Sequence, residues 1–146
     1  MAYKYLFFDD YSEGAHPRIL DTLSRTNLVQ EPGYGEDSLC LEAIRLIKAK
    51  LQDNEVDVHF VSGGTQANLI AFASMLKPYE SVIAATSAHI NVHETGAIEA
   101  TGHKIHGVNV SDGKIGAEQI REVVARHTDE HMVKPRAVFI DRKSVV

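Results

Sequence analysis

Apolar positions along this chain recur at two periods that take turns, and the alternation predicts both the elements and the class of fold. Ile19, Leu20 and Leu23 form one stripe behind His16-Pro17, where proline is tolerated in a first helical turn. The segment Glu31-Pro32-Gly33-Tyr34-Gly35 breaks that helix. From Asp37 a longer helix sets Leu39, Ala43, Leu46, Ile47 and Leu51 at three- and four-residue steps and turns Glu42, Arg45 and Lys48 to solvent. Val56, Val58 and Phe60 alternate as a strand. The stretch from Thr65 to Leu76 reads as a helix apolar nearly all round, stopped by Lys77-Pro78 ahead of a short buried strand, Ser81 to Ala85. Glu94 to Thr101 predicts another helix, closed by Gly102. Lys104 to Val110 follows as a strand, Asp112-Gly113 as a turn, Ala117 to His127 as an amphipathic helix and Arg136 to Ile140 as a strand. Strands separated by helices of this length imply an α/β fold with parallel pairing and right-handed crossovers, which puts ligands beyond the carboxyl ends of the strands.

Composition narrows the setting. With 146 residues, 44% of them hydrophobic, and a formal charge of −5, the chain fits one compact soluble domain with a sizeable core. No linker, repeat or low-complexity tract divides it. Acidic residues outnumber basic ones and no basic run occurs, so the electrostatic footprint of a nucleic-acid binder is missing. Cys40 is the single cysteine, which excludes an internal disulfide. The polar start Tyr3-Lys4-Tyr5 and the lack of a long apolar run argue against a signal peptide or membrane span, and the expected location is cytoplasmic.

The chemistry concentrates in Val58-His59-Phe60-Val61-Ser62-Gly63-Gly64-Thr65-Gln66-Ala67-Asn68-Leu69, a predicted strand that turns through two glycines into a helix. Adjacent glycines let backbone approach an anion and are expected here to adopt positive φ. Thr65 adds a hydroxyl, and the helix start adds unpaired N–H groups and a positive dipole end. A nucleoside-triphosphate loop would carry Lys-Ser or Lys-Thr after its second glycine, whereas this turn continues Gln66-Ala67-Asn68. The anion is therefore not ATP or GTP; the alternative is a tight turn without ligand. His89-x-x-x-His93-Glu94 has the spacing with which two imidazoles share a metal, but it needs one continuous helix from His89 and a third ligand, so no metal site is read there. His103 with His106, and His127 with His131, read as surface histidines.

Four pieces together resemble the threonine aldolase and β-eliminating lyase family of fold-type I pyridoxal-phosphate enzymes: Asp10-Tyr11-Ser12-Glu13-Gly14-Ala15-His16-Pro17, Gly33-Tyr34-Gly35-Glu36-Asp37, Gly63-Gly64-Thr65-Gln66-Ala67-Asn68, and Ala88-His89-Ile90-Asn91-Val92-His93-Glu94-Thr95-Gly96. Their order and spacing cover nearly the whole chain up to about Ile140. The resemblance implies a three-layer α/β/α large domain with a mostly parallel sheet, of which residues 1–146 are the N-terminal part. It makes Gly63, Gly64 and Thr65 the cradle for the phosphate of pyridoxal 5'-phosphate, and His89 the imidazole stacked on the pyridine ring. Glu94 either caps the following helix or hydrogen-bonds near the cofactor. Asp10 and Ser12 line the substrate end of the pocket, where Asp9 stands in place of the small neutral polar residue of relatives. Tyr34 either reaches into a neighbouring subunit's site, which makes the working unit a homo-oligomer, dimer or tetramer, or holds a glycine-flanked turn.

Two parts of the machinery are absent from the sequence as read. Pyridoxal-phosphate chemistry needs a lysine that carries the cofactor covalently and an acid that holds the pyridine nitrogen protonated. Lys4, Lys48, Lys50, Lys77, Lys104, Lys114, Lys134 and Lys143 fall on helix faces, turns or termini, and Asp141 ends a strand that corresponds to an earlier one in the family. Relatives continue well beyond that strand, so the expectation is a truncated chain, inactive alone and prone to associate. The implied reaction is cleavage of a β-hydroxy-α-amino acid to glycine and an aldehyde. The alternatives are β-elimination from an amino acid, or a non-catalytic domain that holds a phosphate-bearing ligand.

Overall fold

The computed structural model describes residues 14–141, which divide into two compact units, one ending at Phe60 and the other beginning at Val61. Asp9, Asp10, Ser12, Lys4 and Lys143 lie outside the described residues.

The first unit holds two helices whose ends are fixed by local chemistry. Helix α1 spans Pro17–Thr26 with proline in its first turn, and the His16 Nδ1 accepts a hydrogen bond from the Arg18 N–H at 3.2 Å. Helix α2 spans Ser38–Leu51; Asp37 caps it by accepting from the Cys40 N–H at 2.8 Å, which satisfies one of the orphan donors of the first turn. Both helices form where the apolar period predicts them. Their apolar stripes stay open, with Ile19, Leu20, Leu23, Leu39, Leu46 and Leu51 all exposed. The predicted strand at Val56, Val58 and Phe60 does not form: no β-ladder among the described residues includes this segment. Alternation marks a half-buried face, visible in half-buried Val56 and Val58, but a strand also needs a partner for its N–H and C=O groups.

The second unit is built on a three-stranded parallel sheet in the order β2-β1-β3. Helix α3 (Gly64–Met75) leads into β1 (Glu80–Ala85), and two short helical turns follow, α4 (His89–Val92) and α5 (Ala97–Ala100). Strand β2 (Ile105–Val108), helix α6 (Ala117–Ala125) and strand β3 (Lys134–Val138) complete the described chain. Strand β1 is central and every residue in it is buried, as a parallel strand between two neighbours requires. It pairs Val82 with Ile105 through Ala85 with Val108 on one side. On the other side Ser81 pairs with Pro135 and Val82 with Ala137, leaving Arg136 as one extra residue. That irregularity accounts for β3 beginning two residues before the expected Arg136: Pro135 has no N–H to give the ladder, and the outer position of β3 together with the bulge accommodates it.

The core of this unit joins Phe72 and Leu76 of α3 to Val82, Ala84 and Ala85 of β1, with Ala88, Ile90 and Ile98 from the turns beyond. Gly107 is closely packed: a Cβ there would stand 3.0 Å from Thr86 Cγ2, which would have to give way. Gly102 ends α5 with φ +88°, a left-handed conformation that disfavours other residues.

Three histidines expected at the surface are part of this framework. His103 is buried and its Nδ1–H donates to the Glu80 carbonyl at 3.1 Å. Half-buried His106 places Nε2 2.9 Å from the hydroxyl of fully buried Ser81, and packs its ring edge-on against His127 with centroids 4.4 Å apart. His127 in turn donates from Nδ1 to the Val123 carbonyl at 2.6 Å, so the pair fastens α6 to the sheet. Only His131 is exposed as expected, beside Asp129.

Candidate functional site

The site lies at the carboxyl end of β1 and the start of α3, all within the second unit. Gly63 precedes α3 with φ 174° and ψ 176°, which is extended backbone, and Gly64 is not left-handed either. The expected positive φ at these glycines is therefore corrected. Their use is spatial: an added Cβ at Gly63 or Gly64 meets nothing within 4 Å, so the approach to the helix start is open. The first turn has no side-chain cap, and the first rung of the ladder is the Ala67 N–H to the Gly63 carbonyl at 3.1 Å. Gln66 turns back instead, its Oε1 accepting from the Ser62 N–H at 2.7 Å and from the Ser62 hydroxyl at 2.8 Å. That contact fixes the turn and leaves the helix's first N–H groups directed at the open space, the geometry that suits an anion.

His89 opens α4 directly beyond β1. Residues His89–Val92 form a four-residue helix, and α5 runs only from Ala97 to Ala100 instead of starting at Glu94. Gly96 is the cap of α5, so the capping role for Glu94 is overturned. Glu94 points inward: its side chain is fully buried, and Oε1 lies 2.9 Å from His89 Nδ1. Two consecutive left-handed residues, Thr95 at φ 50° and Gly96 at φ 75°, make the sharp turn that sends Glu94 into the interior. Left-handed geometry at a β-branched threonine carries strain, and strain of this kind gathers at functional sites.

Two further contacts escape any reading of local sequence. Asn68, one turn into α3, donates from Nδ2 to the same Glu94 Oε1 at 2.6 Å across 26 positions of sequence. Asp141 accepts the His89 backbone N–H on Oδ2 at 3.0 Å. Asp141 also borders a cavity of about 370 Å³ at the carboxyl ends of β1 and β3, with Ser87, Ala88, Lys114 and Phe139 in its wall. The cavity lies beyond the strand ends, where folds of this class hold their ligands.

His93 follows α4 as its cap and stands with its ring centroid 5.4 Å from that of His89. Among the described residues no three metal-binding side chains converge. Tyr34 belongs to the first unit, where it is exposed in a turn with left-handed φ of 63°. No described helix is long and apolar enough to cross a membrane.

An open helix start after two glycines and an imidazole held on a buried glutamate thus stand together in one unit with a parallel sheet. The sequence pattern of the beta-eliminating lyase family matches residues 17–142, and the chain belongs to that family. It is 34% identical over 140 residues to the low specificity L-threonine aldolase of Pseudomonas sp. strain NCIMB 10558, and 31% identical to that of Pseudomonas aeruginosa. In each case 94% of this chain is covered, against 40% of the relative. The solved threonine aldolase of Leishmania major superposes with a TM-score of 0.87 at 50% identity, again over 94% of this chain and 40% of that one. The α/β class and the fold-type I relationship expected from the four motifs are thereby established. The chain spans about 40% of the length of these relatives.

Proposed function

We propose that this chain is the N-terminal part of a pyridoxal-phosphate-binding large domain and supplies the phosphate and ring contacts of a threonine-aldolase-like lyase. The observation that carries the reading is the uncapped start of α3 at two glycines, tied through one buried glutamate to a half-exposed imidazole. The donor set fits a phosphate ester of an aromatic aldehyde: backbone N–H groups and the Thr65 hydroxyl for the dianion, and the flat face of His89 for the ring. When bound, the cofactor supplies an electron sink for charge released at the substrate's α-carbon. His89 keeps the ring's plane fixed, and Glu94 holds His89 by hydrogen-bonding Nδ1. Turnover in the whole protein requires a lysine to carry the cofactor covalently, a role we assign to residues outside this chain. The substrate class is a β-hydroxy-α-amino acid, with Asp10, Ser12 and Tyr34 as substrate contacts and a homo-oligomer as the working unit.

A second reading, a phosphate-ligand-binding domain without covalent chemistry, draws support from Lys114. It lines the cavity but is largely exposed and pairs with Asp112 at 3.8 Å. Titration of the whole protein with pyridoxal 5'-phosphate, followed by borohydride, separates the two: a covalently fixed adduct supports the lyase reading, and reversible binding alone supports the second. Reversible binding with no borohydride-fixed adduct is expected of this chain alone. Because a Cβ at Gly64 meets no neighbour, Gly64→Val leaves the fold intact while filling the cradle. It should weaken cofactor binding by about tenfold, the scale of one lost charge-assisted contact. Unchanged affinity in Gly64→Val would remove the cradle from the site.

A further inference from the structure

We propose that Asn68 is a positioning residue which, acting through Glu94, fixes His89 as the Nδ1–H tautomer and so registers the imidazole to the helix whose first turn is the phosphate cradle. The hydrogen-bond roles follow from chemistry. The Asn68 Nδ2 can only donate, so Glu94 Oε1 accepts at 2.6 Å. The same oxygen then faces His89 Nδ1 at 2.9 Å, and a carboxylate oxygen already accepting one bond takes its second from an N–H. Nδ1 therefore carries a proton and Nε2 is left as the ring's acceptor. Glu94 depends on this pair: its side chain is fully buried, and its other oxygen, Oε2, has no hydrogen-bond partner among the described residues. Removing the Asn68 donor leaves the buried carboxylate with His89 alone, and the constraint on the ring is loosened.

Placement supports the role. Asn68 interrupts the apolar run Ala67, Leu69, Ile70, Ala71, Phe72, where asparagine is a poor helix former. It sits four residues after Gly64, about 6 Å along the helix axis. One rigid helix thus holds the cradle at its start and the ring's orienter one turn later. The Asp141 contact to the His89 N–H at 3.0 Å holds the backbone of the same residue, so ring and main chain are fixed separately.

The inference rests on the cofactor reading for its use, but its test does not. Long-range 1H–15N spectra of the imidazoles in the isotopically labelled chain, at a pH above histidine titration, report which ring nitrogen carries the proton. His89 is expected in a single tautomer, protonated at Nδ1. In Asn68→Leu the ratio of tautomers should fall about tenfold, a common size for coupling within one hydrogen-bond network. Asn68→Asp sets carboxylate against carboxylate and should do the same. The exchanged pair Asn68→Asp with Glu94→Gln reverses the donor and acceptor: the amide nitrogen introduced at position 94 donates one hydrogen to the new carboxylate and the other to His89 Nδ1, so the tautomer should switch to Nε2–H. A His89 tautomer unchanged in Asn68→Leu, or a double variant that keeps the Nδ1–H tautomer, overturns the proposal. So does a purely structural outcome, in which the variants lower stability while the tautomer persists. Titration with inorganic phosphate, followed at the Gly64 and Thr65 amides, tests the cradle separately. Failure there removes the cofactor reading and leaves the tautomer result standing.

Discussion

The two units of this chain carry the same kind of hydrophobic periodicity and reach opposite outcomes. In the first, Leu23 of α1 is 58% exposed and Leu46 of α2 is 54% exposed; in the second, Ile98 and Val82 are fully buried. A three- or four-residue period states which side of a helix is apolar, and the two units together show that it does not state what covers that side. Coverage comes from a second surface. In the second unit the surface is a parallel sheet whose central strand is buried on both faces; in the first, the described residues bury no side chain of either helix. Stability in the first unit therefore rests on local terms, caps and helix propensity, while that of the second rests on packing.

The largest expected effect tests the packing side of that contrast. Ile98→Ala removes a side chain with no solvent exposure and should cost about 3 kcal/mol, in the range for emptying an aliphatic core site. Leu23→Ala, at a position more than half exposed, should change stability by less than about 0.5 kcal/mol. Urea unfolding of the two variants checks both. A cost at Leu23 comparable to that at Ile98 would mean that the α1 stripe is covered in solution, and the contrast between units would be lost.

The next effect, smaller and dependent on pH, also belongs to the second unit. Burial, then the neighbouring His127 and Lys104, push His106 down to about 4 from an ordinary value of 6.5. Protonation thus favours the unfolded chain. The stability contributed by neutral His106 is complete above pH 6.5 and drains away as pH falls toward 4. The loss should reach about 1–2 kcal/mol, less than the full shift would give because the ring is only partly buried. Urea midpoints at pH 7.5 and pH 4.5 measure it. His106→Gln should lower the midpoint at pH 7.5 and flatten the difference; an undiminished difference would assign the acid sensitivity to other groups.

How much of this was legible beforehand follows the reach of each interaction. The cap at Asp37, the proline start of α1, the buried run of β1 and the Gly-Gly entry to α3 are written in neighbouring residues, and the sequence pattern locates them closely. The four family motifs carry the family and the class of fold. Contacts between distant positions are where the reading stops. Asn68 and Glu94 are 26 positions apart, Ser81 and His106 are 25 apart, and Asp141 reaches His89 across 52. No periodicity encodes such pairs, so His103, His106 and His127 read as surface residues and Glu94 as either a cap or a hydrogen-bonding group near the cofactor. The strand expected at Val56 to Phe60 fails for the related reason that alternation specifies a face without naming a ladder partner. One signal was available: a lone asparagine within the apolar run of α3 is a poor helix former and asks for a partner.

The smallest effect returns to the first unit and its dependence on local terms. Helix α2 ends on Gln52, which is left-handed at φ 57° and sends its N–H back to the Ala49 and Lys48 carbonyls. Glycine is the residue that takes this conformation without a Cβ penalty. Relief of that penalty, about 1 kcal/mol, is partly offset by the greater freedom of glycine in the unfolded chain. Gln52→Gly should therefore stabilise α2 by about 0.5 kcal/mol. Hydrogen exchange of the last-turn amides of α2 reads the change directly, and the amides of β1 should stay as they were. Slower exchange confined to α2 would show the first unit gaining stability through its caps alone. Equal slowing in β1 would mean that the two units unfold as one, and the separation drawn between local and packed stability would have to be given up.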